Sequence, residues 1–235
     1  KKAKKKGIKI FSYSVKKKAD IFLANTKKLN NSYKLKINVK KNIFHINIKN
    51  FTNSFVSNVL ASLAITHSLN LDLKKIGNKF IDFKMPSGRG DVKFVKNFKK
   101  RFRFIDESYN ANPLSMLSAI RNMKNYKTGK DSKKIVLLGD MLELGKRSKK
   151  YHKELSTVIN KSDIDKVFVY GNYIKETFRN LSRNKKGKVF SNFNEISNHF
   201  NKIINNNDLL MIKGSNATGM NQFSKNIKKR QAGVI

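Results

Sequence analysis

A change of pattern between residues 104 and 116 constrains the fold of this chain more than any other feature. Phe104 and Ile105 end a β-rich run, a polar and turn-prone segment follows, and Pro113 opens a stretch with apolar residues at helical spacing. This order predicts a strand, a polar loop and a helix. Proline at the first helical position loses no hydrogen bond, because that N–H has no intrahelical partner, and Asn112 can cap the free amides.

The polar loop between this strand and this helix is the first candidate for a functional site. In open α/β sheets, ligands usually bind at the loops that leave the carboxyl ends of the strands. We therefore expect a binding site in this loop. Its polar side chains are Asp106, Glu107, Ser108, Tyr109, Asn110 and Asn112.

Strand and helix patterns alternate from this loop to the end of the chain. Residues 134–138 form an almost uninterrupted apolar run, which is typical of a strand buried on both faces of a parallel sheet. Further strands are predicted at 166–170, 189–190 and 208–212, and helices at 148–159, 173–181, 194–205 and 220–229. The alternation predicts a doubly wound α/β domain.

The first 85 residues show a different pattern. Alternating apolar and polar residues predict short strands within 8–13, 19–24, 33–39 and 43–48, and apolar residues at helical spacing predict a helix over 54–69. Pro86, Gly88 and Gly90 then fall close together, as in a hinge or turn cluster. We place a domain boundary near residue 86, which divides the chain into domains 1–85 and 86–235.

The net charge is extreme for a chain with this much apolar content. It is +37, from 52 basic and 15 acidic residues, and such a balance ordinarily suggests nucleic acid or an anionic membrane surface as a partner. Lysine, asparagine and isoleucine are all abundant, however, as in proteins encoded by A- and T-rich DNA, and the lysines are spread along the chain. We therefore expect no specific nucleic acid partner. A basic nucleic-acid-binding protein on a Rossmann-like scaffold stays the alternative.

Cysteine content and hydropathy bear on the compartment. The chain has no cysteine, which excludes disulfides and thiolate metal sites. No apolar run approaches the ~18 residues that span a bilayer, and the lysine cluster at residues 1–6 is not followed by the apolar core of a signal peptide. We expect a cytoplasmic protein without membrane insertion.

Three segments in a fixed order resemble the Mur ligase family: Asp106–Pro113, Val136–Gly145 and Met211–Ser215. Within the family, the chain is most similar to the ligases that add D-alanyl-D-alanine to UDP-N-acetylmuramoyl-tripeptide, whose loop reads Ser-Tyr-Asn-Ala-Asn-Pro as residues 108–113 do. The resemblance covers nearly the whole chain but only about the second half of the family's length. It implies a Rossmann-like doubly wound C-terminal domain over 86–235, preceded by the β-rich tail of the family's central ATP-binding domain over 1–85.

The resemblance also implies a reaction and its partners. ATP phosphorylates the terminal carboxylate of UDP-N-acetylmuramoyl-tripeptide, and the amine of D-alanyl-D-alanine attacks the acyl phosphate. This chemistry requires a phosphate loop, its lysine and Mg²⁺. The sequence lacks a Gly-x-x-x-x-Gly-Lys-Ser/Thr motif, since residues 139–146 have one residue too many between the glycines and Arg147 follows. We expect no catalytic residue and no metal ligand in this chain, and we expect the Mg²⁺ ligands upstream of it. The isolated chain should be inactive. We expect the protein to be a monomer.

The family's binding residues are carried over one by one. The resemblance implies nucleotide contacts by Asn58, Arg89, Glu107, Tyr109, Asn110 and Asn112, and contacts to the incoming dipeptide by Lys213, Ser215 and Asn216. The chain departs from the family pattern at three places: Ser54 and Phe55 replace a His-Asn pair, Glu107 replaces an aspartate, and Asn216 stands where arginine is common.

Alternative interpretations remain for several of these residues. Asn110 and Asn112 can instead cap the following helix, and Asp140 and Glu143 can be solvated loop acids. His152 and His199, on predicted helices, are expected to be packing or surface residues rather than ligands. Another Mur or folylpolyglutamate synthase-type ligase is the alternative within the enzyme class, and the loop at residues 108–113 favours the dipeptide-adding branch.

We predict that residues 86–235 fold without the first 85, because this segment can complete its own sheet. Limited proteolysis should then digest residues 1–85 faster than the remainder. Equal rates of digestion in both parts would contradict the prediction.

Overall fold

The computed structural model describes residues 6–40, 42–49, 51–83 and 88–229. The chain divides into two compact units, Lys1–Lys84 and Met85–Ile235. The boundary predicted near residue 86 lies outside the described residues, so the two units are described separately below.

The described part of the first unit contains one four-stranded sheet and two helices. The sheet has the order β1-β2-β3-β4; β1 pairs with β2 in parallel and the other neighbours are antiparallel. The strands are β1 Tyr13–Ser14, β2 Ile21–Lys28, β3 Tyr33–Val39 and β4 Asn42–Ile48, and the helices are α1 Asn53–Ser68 and α2 Leu73–Gly77.

Local sequence explains these elements. Leu35, Ile37 and Val39 alternate with more exposed residues along β3, as expected for a strand with one buried face. The Thr52 hydroxyl accepts a hydrogen bond from the Phe55 amide and so caps α1. The strand predicted over 8–13 is reduced to β1, because only Tyr13 and Ser14 register with β2, and Ile8 and Ile10 are exposed.

The second unit contains a six-stranded sheet with the order β5-β6-β10-β7-β8-β9 among its described residues. All neighbours are parallel except β5 and β6. The strands are β5 Asp91–Asn97, β6 Lys100–Glu107, β7 Lys134–Gly139, β8 Lys166–Tyr170, β9 Lys186–Phe190 and β10 Leu209–Lys213. The helices are α3 Pro113–Asn122, α4 Ser148–Asn160, α5 Lys175–Arg179, α6 Phe193–Ile203 and α7 Met220–Lys229. Short 3-10 turns lie at Asn78–Asp82 in the first unit and at Met123–Asn125, Gly145–Arg147, Arg183–Lys185 and Asn216–Thr218 in the second.

Helices cover both faces of this sheet. Every residue of β7 and β10 is buried, and alternate residues of β7 belong to different apolar clusters. Val136 and Leu138 pack in a cluster that includes Leu155 of α4, whereas Ile135 and Leu137 pack in one that includes Phe200 of α6. The predicted Rossmann-like doubly wound α/β fold is therefore confirmed for the second unit.

The antiparallel hairpin of β5 and β6 was not resolved from the sequence, which indicated a single β-rich run. Its turn residues, Phe98 and Lys99, have φ angles of 53° and 57°. Such a turn usually contains glycine or asparagine, so Phe-Lys gives no turn signal. The Asn97 side chain accepts a hydrogen bond from the Phe98 amide and donates one to the Ile227 carbonyl, which ties the hairpin to α7.

A buried ion pair joins β6 to α7. The Asp106 carboxylate is fully buried and accepts hydrogen bonds from the Lys228 ammonium and from the hydroxyl and amide of Ser108. Burial alone would raise the pKa of Asp106, but the hydrogen bonds from Lys228 and Ser108 outweigh it and hold the pKa below its usual value. The carboxylate is therefore charged in the folded protein at neutral pH.

We predict that Lys228→Met destabilises the second unit by about 3–5 kcal/mol, because it leaves a buried carboxylate without its cation. Because the folded-state pKa of Asp106 is depressed, its carboxylate stabilises the fold at pH values above the unfolded-state pKa, near 4. This stabilisation disappears as the pH falls through the folded-state pKa. Without the lysine, burial raises the pKa of Asp106, so protonation of the carboxyl at pH 4 relieves part of the cost. The difference in stability between the variant and the wild type should therefore be smaller at pH 4 than at pH 7. Urea denaturation at pH 7 and pH 4 measures both effects.

The matched control is Lys225→Met, which removes an exposed lysine from the same helix. Its free energy of unfolding should stay within about 0.5 kcal/mol of the wild type. Equal stability of the two variants would show that the ion pair contributes nothing.

Candidate functional site

The carboxyl ends of three neighbouring strands form the centre of the candidate site. Lys213, at the end of β10, registers with Glu107 of β6 and with Leu138 of β7. A Cβ atom on Gly214 would lie 3.0 Å from the Gly139 Cα, so these two glycines allow the backbones that leave β10 and β7 to approach closely. The three following loops therefore meet at one edge of the sheet.

Arg89 and Tyr109 are brought together at this edge. The Arg89 guanidinium lies 4.4 Å from the centroid of the Tyr109 ring, and the Tyr109 amide donates a hydrogen bond to the Gly88 carbonyl. Both side chains are exposed. A guanidinium stacked on a ring keeps its N–H donors in its own plane, where they remain able to reach a ligand.

Glu107, Asn110 and Lys213 form a second contact group. The Lys213 ammonium donates to the Asn110 carbonyl at 3.0 Å and to Glu107 Oε2 at 3.3 Å. Burial lowers the pKa of Lys213, the Glu107 carboxylate raises it, and the charge of Arg89 lowers it further, so that the pKa lies below the usual lysine value. Arg89, Glu107 and Lys213 are thus electrostatically coupled.

The Ser215 side chain links loops rather than facing solvent. Its hydroxyl accepts a hydrogen bond from the Leu142 amide at 3.0 Å and donates to the Ala111 carbonyl at 3.4 Å. Its amide donates to the Asp140 carbonyl at 3.0 Å. This one buried serine therefore connects the loops that follow β6, β7 and β10.

Asp140 is a site residue that sequence reasoning left as a solvated loop acid. It is buried, and its carboxylate accepts hydrogen bonds from the Asn172 and Ile174 amides at 2.9 and 2.7 Å. The solvated interpretation is wrong for Asp140, because these bonds hold it against the loop after β8, whereas Glu143 is exposed. Asp140 comes directly after the apolar run of β7, and this position is the sequence signal that could have indicated its burial.

His152 is buried in α4 and supports the same loop, which confirms the packing interpretation. Its Nε2 accepts a hydrogen bond from the Met141 amide at 2.9 Å, and its Nδ1 donates to the Ser148 carbonyl at 2.7 Å. The bond from the Met141 amide requires an unprotonated Nε2 and therefore a neutral ring. Burial lowers the pKa of His152, although the Ser148 carbonyl and the Asp140 carboxylate favour the charged form. His199 is partly buried against the rings of Phe168 and Phe190, also a packing position.

The asparagines of the site have different environments. The Asn112 side chain accepts a hydrogen bond from the Ser115 amide, and the Ser115 hydroxyl in turn accepts one from the Asn112 amide, so Asn112 caps α3 as the first pattern indicated. The Asn110 side chain accepts from the Ala111 amide at 2.7 Å. Asn216 is exposed, and its side-chain oxygen accepts from Asn221.

Asn58 belongs to the first unit and is exposed on α1. A cavity of about 510 Å³ lies at the amino end of this helix. Its lining residues are Tyr13, Ser14, Val15, Lys16, Lys17, Asn53, Ser54 and Ser57. Asn58 follows the last of these without lining the cavity, so its nucleotide contact stays a prediction.

Two further features of the described ranges concern metals and membranes. Within them, no three His, Cys, Asp or Glu side chains are grouped as they would be around a metal ion. None of the helices described is long and apolar enough to cross a bilayer.

Comparison with known proteins identifies the relatives of this chain. Residues 92–216 match the protein family described as "Mur ligase, glutamate ligase domain". The UDP-N-acetylmuramoyl-tripeptide–D-alanyl-D-alanine ligase of Buchnera aphidicola subsp. Baizongia pistaciae is 31% identical over 88% of this chain and 43% of its own length. The enzyme of the same name from Rickettsia prowazekii is 28% identical over 91% of this chain and 46% of its own length. The chain thus spans less than half the length of these relatives.

Solved structures share the fold. MurF from Acinetobacter baumannii superimposes with a TM-score of 0.76 at 20% identity, covering 95% of this chain and 48% of that one. MurF ligase from Thermotoga maritima, solved in complex with ADP, gives a TM-score of 0.69 at 21% identity, with coverages of 94% and 49%. At these identities the comparison establishes the fold alone.

We predict that His152 makes stability depend on pH. The folded-state pKa of His152 is depressed, so the neutral ring stabilises the fold at pH values above the unfolded-state pKa, near 6.5. This stabilisation is lost as the pH falls from that value towards the folded-state pKa. The free energy of unfolding should decrease by about 1 kcal/mol between pH 7 and pH 5.5 because of this group. Chemical denaturation of the wild type and of His152→Gln, whose side chain does not titrate, measures the difference.

The control is His199→Gln. Burial, Lys188 and Lys202 also lower the pKa of His199, so its effect has the same sign, and comparing the variants separates the two contributions. A pH dependence that survives in His152→Gln but disappears in His199→Gln would contradict the assignment.

Proposed function

Since this chain belongs to the Mur ligase family, we propose that it is the C-terminal part of an enzyme that adds D-alanyl-D-alanine to UDP-N-acetylmuramoyl-tripeptide. Curated relatives with this activity in their names match most of the chain, and the loop at residues 108–113 carries the sequence of that branch. The product is a peptidoglycan precursor, and the reaction, which consumes ATP, takes place in the cytoplasm on a monomeric enzyme.

The proposed reaction proceeds through an acyl phosphate. ATP supplies the phosphoryl group that activates the terminal carboxylate of the tripeptide, and Mg²⁺ neutralises phosphate charge during this transfer. The dipeptide amine then attacks the acyl carbon and inorganic phosphate leaves. The chain contains no phosphate loop, so in this proposal the Mg²⁺ ligands lie upstream and the isolated chain does not turn over. Its own residues bind and orient the substrates.

The observation that carries the proposal is the group formed by Arg89, Glu107 and Tyr109 at the sheet edge. This group suits a nucleotide. The in-plane N–H groups of Arg89 can donate to phosphate oxygens, and the Glu107 carboxylate can accept hydrogen bonds from both ribose hydroxyls. Asn110 shapes the same loop, and Asn112 fixes the start of α3 behind it.

The segment 213–216 forms the proposed acceptor side. It leaves β10 between the loops after β6 and β7, next to the proposed nucleotide residues. Lys213 and Ser215 are buried within these contacts, whereas Asn216 is exposed. Asn216 is therefore the member of the segment that can meet an incoming dipeptide directly.

The rival proposal, a nucleic-acid-binding protein, draws on the net charge of +37. Several lysines of the second unit, however, serve the fold. Lys185 donates to the Ser162 and Ile164 carbonyls, and Lys186 donates to the Arg179 carbonyl at the end of α5. Lysines at helix ends are stabilising because they bind unpaired carbonyls. This part of the charge has a structural explanation.

We predict that Arg89→Ala lowers kcat/KM for the ligation about tenfold to a hundredfold, the loss expected for a charge-assisted hydrogen bond to phosphate. The assay measures phosphate release that depends on UDP-N-acetylmuramoyl-tripeptide, D-alanyl-D-alanine and ATP, in the full-length protein encoded by the reading frame that contains this chain. The isolated 235-residue chain should release none.

Arg183→Ala is the matched control, because Arg183 is exposed in a turn before β9 and has no proposed contact with substrate. A nucleic-acid-binding protein would instead bind an oligonucleotide, and its affinity would fall steeply as the salt concentration rises. Arg89→Ala and Arg183→Ala would then change that affinity equally. Unchanged ligation in Arg89→Ala would disprove the nucleotide role of Arg89. Absence of ligation by the full-length wild type would disprove the proposed function.

A further inference from the structure

We propose that Lys213 is a positioning residue, which orients the Glu107 carboxylate for the nucleotide and does not itself contact the dipeptide. This inference rests on the proposed function, because it takes Glu107 as the group that faces the ribose. It also changes the role that the family resemblance implies for Lys213. The structural basis is the direction in which this lysine reaches from the end of β10.

The Lys213 ammonium points into the loop after β6. Its side chain is 2% exposed, whereas that of Glu107 is 26% exposed. The lysine is thus enclosed behind the carboxylate that it contacts. To bind a dipeptide from solution, it would have to leave both the Asn110 carbonyl and Glu107, and these two groups would lose a buried donor. Unpaired buried polar groups are costly, which favours the enclosed position.

The second oxygen of Glu107 lies close to the Gly90 backbone. A Cβ atom on Gly90 would lie 2.9 Å from Glu107 Oε1, and Gly90 has a φ angle of +91° that side chains rarely adopt. One oxygen of the carboxylate therefore lies near the Gly90 backbone, where a side chain would collide with it, while the other contacts the Lys213 ammonium. A glutamate has three rotatable side-chain bonds, and ordering it before the ligand arrives reduces the entropic cost of binding.

Charge couples the two residues in both directions. Burial and the nearby Arg89 disfavour the charged form of Lys213, and the Glu107 carboxylate is the group that opposes them. Lys213 in turn gives Glu107 a fixed hydrogen-bond donor. If the two act as one unit, removing either should have the same effect as removing both.

The test is a double-mutant cycle on the full-length protein, with ADP as the probe in isothermal titration calorimetry. We expect Lys213→Met and Glu107→Gln each to weaken ADP binding about tenfold, as for the loss of a charged hydrogen bond. The double variant should bind ADP no more weakly than Glu107→Gln alone. The KM for D-alanyl-D-alanine should not change, and the control Lys146→Met, an exposed lysine after β7, should leave both quantities unchanged.

Several results would overturn the inference. A raised KM for D-alanyl-D-alanine with normal ADP affinity would show that Lys213 binds the dipeptide. Additive losses of ADP affinity would show that the two residues act separately, and an unchanged affinity in Lys213→Met would show that the lysine is only structural. A wild type that binds no ADP at all would instead overturn the proposed function, and this inference with it.

Two further measurements do not depend on turnover, and they remain informative if Lys213→Met is too unstable to be studied. Lys213→Gln keeps a polar N–H donor without the charge, and should fold with weakened ADP binding. In the 235-residue chain, the ¹³Cε resonance of Lys213 should titrate below the usual lysine range, and in Glu107→Gln lower still, since the carboxylate supports the charge. A titration that does not move in Glu107→Gln would contradict the coupling.

Discussion

The pairing of β10 with both β6 and β7 is the interaction on which the rest of the second unit depends. Among the described strands, β10 is the last in the sequence, but it lies third in its sheet. Its five residues register with β6 on one edge and with β7 on the other. Without it, β6 and β7 have no contact across the sheet. The loops that carry the candidate site meet only because a strand from residues 209–213 brings them together.

The position of β10 also explains the buried polar groups around it. Loops that converge from several strands enclose backbone amides and carbonyls, and each of these requires a partner. Asp140, His152 and Ser215 supply these partners and so connect the loops to one another. The same residues that satisfy the backbone therefore give the site a defined shape.

Lysine has two different roles in this chain. Many lysines of the described residues are exposed on the surface. Others are buried or partly buried and are paired: Lys134 with Asp163 and the Met123 carbonyl, Lys228 with Asp106, and Lys213 with Glu107. Two of these pairs involve Asp106 and Glu107, the last two residues of β6, which were predicted as the start of the polar loop. At this strand end the lysines therefore have specific partners, although the lysine content of the whole sequence resembles a composition bias.

Sequence patterns alone determined the helices and parallel strands of the second unit, the cap at Asn112 and the location of the polar loop at a strand end. These features depend on periodicity, burial and local hydrogen bonds, which nearby residues encode. Tertiary structure alone decided the β5–β6 hairpin, the burial of Asp140 and the partner of Lys213. Phe98 and Lys99 carry no turn signal, and the contacts of Asp140 and Lys213 join residues more than 30 and 100 positions apart. Such contacts depend on strand order, which no local pattern specifies.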